Sequence, residues 1–151
     1  MIDRFERFSY AISEISRHWH KLTTEEMAPY GLKGTHSIYL LALERYPDGL
    51  AAPQLCELCD RDKADVSRMM AIMEEKGLVF KECLGVSKYR GVFKLTEEGL
   101  MAANHVRKRA AIAVELAGSD LTDAQRDTFY FALDLIVQNL RRMSKEGIPK
   151  E

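Results

Sequence analysis

Residues 62–79, DKADVSRMMAIMEEKGLV, contain the pattern that decides the fold of this chain. Four apolar residues recur at the i, i+3, i+4, i+7 spacing of a single buried helical stripe: Val66, Met69, Met70 and Met73. Asp62 can cap the N-terminus of this helix by accepting a backbone N–H, and Gly77 can take the left-handed conformation that ends it. The stretch therefore predicts an amphipathic helix that is followed directly by a strand at residues 78–80.

The residues on either side of this helix predict a short helix before it and a β-hairpin after it. A short helix is predicted at 52–59 and is joined to it by a tight turn. Strand-forming residues at 78–80 and 92–95 predict a β-hairpin with its tip at 84–89. Helix, short turn, helix and hairpin is the order of a winged helix-turn-helix, whose second helix enters the DNA major groove.

Composition places the chain among soluble globular proteins. It has 151 residues, of which 46% are hydrophobic and 30% charged, and no run approaches the ~18 apolar residues of a membrane span. The charged N-terminus lacks the apolar segment of a signal peptide, and three cysteines, an odd number, argue against a secreted disulfide framework. We therefore expect a cytoplasmic protein without a membrane partner.

The distribution of charge matters more for nucleic-acid binding than its total. The formal net charge is -1. The hairpin region 78–95 nevertheless has four basic residues against one acidic residue, an excess of three positive charges. The basic residues are Lys81, Lys88, Arg90 and Lys94, and the acidic one is Glu82.

Two long helices with apolar seams are predicted at the ends of the chain. Residues 3–27 place apolar side chains three and four apart, and the last helix, which Thr122 and Gln125 can cap, does the same. The two seams contain Phe5, Phe8, Ile12, Ile15, Trp19 and Leu22, and Phe129, Leu133, Ile136, Leu140 and Met143. Because a helix must bury its apolar stripe, we expect a symmetric homodimer.

Two further helices complete the expected architecture. One, at 36–45, is capped by Thr35, and the other runs from Thr96 to about residue 117. The apolar face of the first is assigned to Ile38, Leu41 and Ala42. The predicted fold class is mainly α (α+β), a winged helix-turn-helix DNA-binding module flanked by N- and C-terminal dimerisation helices. We expect one domain over 1–151, with the module at 34–95 and the dimerisation helices at 1–30 and 96–146.

This arrangement resembles the MarR-type transcriptional regulators over nearly the whole chain. The resemblance rests on the order of the helices, on DKADVSRMMAIMEEKGLV as recognition helix, on the basic hairpin as wing, and on LTEEG, residues 95–99, at the entry to the fifth helix. It implies that the first, fifth and sixth helices form a homodimer whose two wings grip double-stranded DNA. It also implies control of transcription, for which we expect repression, relieved by a small ligand bound between the dimer helices and the DNA module.

The wing departs from the family pattern. Most members carry Asp-x-Arg at the wing tip, where the Arg enters the minor groove and the Asp holds it. The matching positions here are Ser87 and Tyr89, although the hairpin has the family length. Arg90 or Lys88 is then the cation available to a narrow minor groove.

The candidate DNA-binding residues lie on the recognition helix and on the wing. Arg68 is assigned to a base edge because its guanidinium can pair bidentately with guanine, whereas Arg61 and Lys63 suit phosphates at the helix start. The full set is Arg61, Lys63, Ala64, Ser67, Arg68, Lys88, Tyr89 and Arg90. Two such helices related by a two-fold axis would read a pseudo-palindromic operator. The alternative is an ordinary exposed helix surface.

Three carboxylates near these cations oppose DNA binding: Asp60, Asp62 and Asp65. Asp62 is assigned to the helix cap rather than to the reading of a cytosine. Asp65 has no assigned role. The small side chains of Ala64 and Ser67, by contrast, allow the helix to sit deep in the groove.

The motif Cys56-x-x-Cys59 permits several roles for its thiols. Cys59 lies four residues after Leu55 on the same apolar face, which favours buried structural thiols. A thiol-based redox-sensing regulator is an alternative, and Cys83, near the wing tip, is the cysteine expected to be most exposed. A zinc site needs about four ligands, and the four histidines are scattered, so neither a metal nor another cofactor is expected.

A pocket for the small-molecule effector is one hypothesis for His18, Trp19 and Tyr39, because apolar clefts between helices with a few polar groups are usual ligand sites. The alternative packs Trp19 into the dimer core and leaves the histidines in solvent.

Sequence motifs of enzymes are absent: there is no glycine-rich phosphate loop, no GxSxG and no HExxH. We therefore expect no enzymatic activity. The remaining rival is a winged helix that serves only as a protein-interaction module without DNA binding. The basic wing and the small residues at the start of the recognition helix count against it.

Overall fold

The computed structural model describes residues 2–86 and 90–150. Within them the elements are α1 Arg4–Met27, α2 Ser37–Arg45, α3 Ala52–Cys59, α4 Lys63–Glu75, β1 Val79–Cys83, β2 Gly91–Leu95, α5 Glu97–Ala117 and α6 Asp123–Glu146. Two 3-10 turns, Ala28–Tyr30 and Gly34–His36, connect α1 to α2. Six α-helices and one antiparallel pair of strands in this part of the chain confirm the predicted mainly α fold with its winged helix-turn-helix. No described helix is long and apolar enough to cross a membrane.

The chain divides into two compact units, Met1–Ala111 and Ile112–Glu151. The first unit contains α1 to α4, the hairpin and most of α5, and the second contains the end of α5 and all of α6. Every residue of the buried hydrophobic core among the described residues belongs to the first unit.

The apolar stripe of α4 lies in this core, as its spacing predicts. The buried side chains are Val66, Met70 and Met73, and Met69 is half-buried against them. The Asp62 carboxylate caps the helix by accepting the backbone N–H of Asp65 at 2.7 Å. Gly77 has the left-handed φ of 71° that ends the helix.

The apolar face assigned to α2 missed the most deeply buried side chains of this helix. The buried apolar side chains of this helix are Tyr39, Leu40 and Leu43, whereas Ile38, Leu41 and Ala42 are half-buried. Both α3 and β2 pack against α2, so more than one side of this short helix is covered. Periodicity alone does not identify the most deeply buried face of such a helix.

The motif LTEEG fixes the start of α5 against the end of α4. The Thr96 hydroxyl donates to the carbonyl of Gly77 at 2.6 Å and accepts the N–H of Gly99 at 3.0 Å. Gly99 packs so closely on Leu78 that an added Cβ would lie 1.9 Å from the Leu78 carbonyl oxygen. The glycine therefore permits the close approach of the first turn of α5 to the residue just before β1.

The hairpin is anchored to the core at its base. Val79 pairs with Leu95 and Cys83 with Gly91 in the antiparallel register. Leu50, in the loop between α2 and α3, exchanges two backbone hydrogen bonds with Phe93, of 3.1 and 2.8 Å. The buried Leu50 and Phe93 side chains thus join the wing to the helices.

Helix α6, in the second unit, begins as predicted and leaves its stripe uncovered. Thr122 and Gln125 form the predicted capping box, with hydrogen bonds of 2.9 and 3.2 Å. The exposed residues of the stripe are Phe129, Leu133, Ile136 and Leu140. Helix α1, in the first unit, likewise exposes its seam, including Phe5, Ile15 and Trp19.

Candidate nucleic-acid interface

The outer face of α4 presents the predicted contact residues together. Burial of the opposite stripe fixes the rotation of the helix, and its exposed residues include Lys63, Ala64, Ser67 and Arg68. Arg61 is exposed immediately before the helix. The structure thus brings these α4 residues and Arg61 onto one exposed surface, which can accept phosphates and base edges.

The turn between α3 and α4 depends on one residue with positive φ. Asp60 has φ 51° and ψ 51°, a left-handed conformation that aspartate tolerates better than most residues. The N–H of the next residue, Arg61, then donates to the carbonyl of Cys56 at 3.0 Å. This turn delivers Arg61 and Lys63 to the N-terminus of α4, where the helix dipole also favours anions.

Arg68 is tethered rather than free. Its Nη2 lies 3.2 Å from Oδ1 of Asp65, and the other carboxylate oxygen, Oδ2, accepts the hydroxyl of Tyr39 at 2.5 Å. The Tyr39 hydroxyl is the foremost cause that holds the pKa of Asp65 below its usual value, and Arg68 contributes to the same shift. Burial raises the pKa of Tyr39 well above the ordinary range of a phenol. The carboxyl is therefore ionised and the phenol protonated near neutral pH.

Two of the eight predicted contact residues, Lys88 and Tyr89, lie outside the described residues. Arg90 is exposed at the end of the described wing, and its carbonyl accepts the N–H of Leu84 at 2.9 Å. The Lys94 ammonium lies 2.5 Å from the carboxylate of Glu82, and Lys81 lies 5.6 Å from the centroid of the Phe93 ring. The excess positive charge of the hairpin is therefore partly committed to contacts within the wing.

The residues of the predicted effector pocket occupy different environments. Tyr39 is 1% exposed in the core, whereas His18 and Trp19 lie on the exposed surface of α1. A separate open cleft of about 290 Å³ lies between α2 and α3 and is lined by Ile38, Leu41, Ala42, Arg45, Tyr46, Leu58 and Cys59. The pocket formed by His18, Trp19 and Tyr39 stays a prediction.

The cysteines differ in exposure as the sequence suggests. Cys56 and Cys59 are half-buried, and Cys83 is exposed. Burial raises the pKa of the Cys59 thiol, which disfavours the reactive thiolate. Among the described residues no group of three or more His, Cys, Asp or Glu side chains could hold a metal ion.

Sequence reasoning missed the contact between Tyr39 and Asp65 behind this surface. Asp65 was left without a role, and Tyr39 was assigned to a ligand pocket. The two residues are 26 positions apart, and only the packing of α2 against the start of α4 brings the hydroxyl to the carboxylate. The one available signal was the place of Asp65 three residues before Arg68, the spacing of a helical ion pair.

Comparison with known proteins finds one matching family model and several solved structures of similar fold. The model of the MarR family matches residues 30–84, which cover α2 to β1. A MarR transcriptional regulator from Methanosarcina mazei Go1 is 23% identical, with 91% of this chain and 99% of that chain covered and a TM-score of 0.80. A MarR family regulator from Listeria monocytogenes, complexed with a 26mer DNA, is 21% identical over 100% and 99% of the two chains, with a TM-score of 0.80. The S. aureus MepR–DNA complex is 16% identical over 87% and 97%, with a TM-score of 0.79.

The structural likenesses extend the fold beyond the matched segment to the terminal helices. The sequence match identifies the helix-turn-helix and the first strand of the wing. Residues 30–84 thus match the model of the MarR family, and the chain shares its winged helix-turn-helix fold with solved MarR regulators.

Proposed function

We propose that this protein is a sequence-specific double-stranded DNA-binding regulator of transcription. The observation that carries the proposal is the exposed face of α4, on which Lys63, Ser67 and Arg68 lie together with Arg61 just before the helix. Small side chains at Ala64 and Ser67 let the helix backbone approach a groove floor. Long cationic side chains on the same face can then reach bases and phosphates.

The rigidity of α4 supports this role. Its inner stripe is buried and its N-terminus is capped by Asp62, so its outer face is held in one orientation. A recognition element needs such support, because contacts with bases tolerate little displacement. The proteins of similar fold from Listeria monocytogenes and S. aureus that were solved with DNA support the same assignment.

The protein acts as a homodimer in this proposal. The apolar seam of α1 and the stripe of α6 are exposed in the single chain, which supports pairing through the predicted dimerisation helices, 1–30 and 96–146, around the module 34–95. Two copies of α4 related by a two-fold axis would read half-sites about 34 Å apart, roughly 10 base pairs. The operator is therefore a pseudo-palindrome.

The wings hold the flanks of this operator. Arg90 or Lys88 supplies the cation for the minor groove, in place of the arginine of the family's Asp-x-Arg. A dimer bound in this way excludes other proteins from the same DNA, so we propose repression in the cytoplasm, relieved by a small-molecule effector. Catalysis forms no part of this role.

Binding-site selection on wild type and Arg68→Ala, run in parallel, tests the proposal. If Arg68 reads a guanine, Arg68→Ala costs about 1–3 kcal/mol on the best site and flattens the preference at one base pair per half-site. Lys63→Ala is the matched variant on the same face. It should weaken all sequences alike and reduce the slope of log affinity against log salt by about 0.9 for each phosphate that the variant no longer neutralises.

Two results would contradict the proposal. Wild-type protein that enriches no sequence would exclude sequence-specific binding and would favour a protein-interaction module. Equal base preferences for wild type and Arg68→Ala would leave Arg68 as a phosphate-binding residue and would remove the base-reading role.

A further inference from the structure

We propose that Tyr39 and Asp65 hold the Arg68 guanidinium in the orientation in which it reads a base. Tyr39, from inside the core, then helps to set the sequence preference of α4. Asp65 and Tyr39 are positioning residues in this account, since Arg68 alone of the three touches DNA. The inference rests on the proposed function of α4 as the recognition helix.

The chain of contacts runs from the core to the surface. Tyr39 is 1% exposed on α2, so its ring has a fixed position. Its hydroxyl donates to Oδ2 of Asp65 at 2.5 Å, and Nη2 of Arg68 donates to Oδ1 at 3.2 Å. The Asp65 backbone is also fixed, because its N–H donates to the capping carboxylate of Asp62. The carboxylate and the backbone of Asp65 are therefore both held in place without the help of Arg68.

A helical ion pair without this support would orient Arg68 poorly. Exposed pairs three residues apart contribute little, because two flexible side chains must be held in one geometry. Here Tyr39 already immobilises the carboxylate, so only the Arg68 side chain loses freedom when the pair forms. The result is a guanidinium with a preferred direction in the unbound protein.

The tethered guanidinium keeps enough donors for a base. Arginine has five N–H groups, and the side chain of Arg68 is 64% exposed while its Nη2 contacts Asp65. The free donors can pair bidentately with O6 and N7 of guanine while the contact with Asp65 persists. A carboxylate beside DNA is otherwise repelled by phosphates, and Arg68 offsets that charge.

A purely structural account of the same contacts exists. Asp65 lies in the first turn of α4, where an acidic side chain stabilises the helix N-terminus. Tyr39 could then do no more than tie α2 to α4. The two accounts differ in their consequences for base preference, which a tie between helices would not affect.

The test compares the base preferences of wild type, Arg68→Ala, Tyr39→Phe, Asp65→Asn and Tyr46→Phe by binding-site selection and by affinity for random DNA. Tyr39→Phe removes only the hydroxyl and keeps the ring in the core. It should lower discrimination at the base pair read by Arg68 about fivefold to tenfold, with random DNA bound as by wild type. Asp65→Asn should lose the same discrimination and bind random DNA more tightly, because a negative charge is removed. Tyr46→Phe, which removes a hydroxyl from an exposed ring at the end of α2, should match wild type.

The outcomes separate the inference from the function on which it rests. Folded Tyr39→Phe and Asp65→Asn with unchanged base preference overturn the positioning role, even if Arg68→Ala flattens one base pair. If Tyr39→Phe does not fold, Asp65→Asn decides alone. A double variant, Tyr39→Phe with Arg68→Ala, should lose no more discrimination than Arg68→Ala, because both changes act through one contact. Wild type that selects no site, or Arg68→Ala that changes no preference, overturns the proposed base reading itself.

Discussion

Helices α4 and α6 carry the same kind of apolar repeat, but the repeat is buried in α4 and exposed in α6. In α4, Val66, Met70 and Met73 are buried by the helices and hairpin of their own unit. In α6, Leu133 is 39% exposed and Phe129 is 47% exposed, although their spacing is that of a buried stripe. An apolar repeat thus predicts that a face will be covered, but it does not say which chain covers it.

The difference also separates two sources of stability. Burying apolar surface contributes about 25 cal/mol for each Å² removed from water. For α4 this contribution is made within one chain and does not depend on protein concentration. For α6, in the proposed homodimer, it is made on association and follows mass action.

The largest predicted effect is that of a charge placed in the α6 stripe, which should weaken association of the chains. Leu133→Asp should weaken association at least a hundredfold, about 3 kcal/mol or more, because a charge without a partner is very costly to bury. Analytical ultracentrifugation across micromolar concentrations measures the effect, and circular dichroism shows whether α6 remains helical. Gln138→Asp is the matched control, since Gln138 is exposed on the opposite face of the same helix.

A compact wild-type monomer at micromolar concentration would contradict this prediction. It would mean that the α6 stripe stays in water, and the proposed homodimer would be lost with it. Equal weakening by Leu133→Asp and Gln138→Asp would instead assign the effect to net charge rather than to the stripe.

Truncation of a side chain in the α4 stripe is expected to lower stability within one chain rather than to weaken association. Met70 is 1% exposed, and Met70→Ala should lower the free energy of unfolding by about 2–5 kcal/mol through reduced burial and the cavity left behind. Urea unfolding followed at several protein concentrations gives the size of the loss. The loss should be the same at each concentration, whereas that of Leu133→Ala should change with concentration. A concentration-dependent effect of Met70→Ala would show that α4 also depends on association.

The sequence predicted the elements whose signals are local. The Asp62 cap, the left-handed Gly77 and the Thr122–Gln125 box all act within one helical turn, and the structure has them where the sequence placed them. The spacing of Val66, Met70 and Met73 was enough to orient α4, because one face of that helix is buried and the other is open.

The sequence could not predict features that depend on distant packing. The most deeply buried side chains of α2 were missed, because α3 and β2 cover more than one side of this helix. The pairing of Lys94 with Glu82 depends on the register of the hairpin, and the hydrogen bond from Tyr39 to Asp65 depends on how α2 meets α4. Each is a contact between elements, for which periodicity carries no information.

The core of the first unit also holds a buried polar side chain, His36, in the turn before α2. His36 is buried, its Nδ1 accepts the N–H of Lys33 at 3.0 Å, and its Nε2 has no hydrogen-bond partner among the described residues. Burial is the main cause that lowers the pKa of His36 below 6.5, and the charges of Lys33 and Lys76 act in the same direction, against Asp65. Protonation of His36 is therefore disfavoured in the folded protein.

The smallest predicted effect follows from this burial and is a loss of stability at mildly acidic pH. Between the folded pKa of His36 and the unfolded value of about 6.5, the unfolded chain binds more protons than the folded protein, so stability rises with pH across this window. The contribution is complete above pH 6.5 and is lost as the pH falls through the window.

The carboxylates of Asp65 and Glu26, whose pKa values are also lowered, lose their contributions only nearer pH 4. Urea unfolding at pH 7.5 and 5.5 should show wild type losing more stability than His36→Gln, in which the side chain keeps an acceptor but does not titrate. His18→Gln, at an exposed position of α1, should lose as much as wild type, and an equal loss in His36→Gln would show that the buried imidazole does not cause the effect.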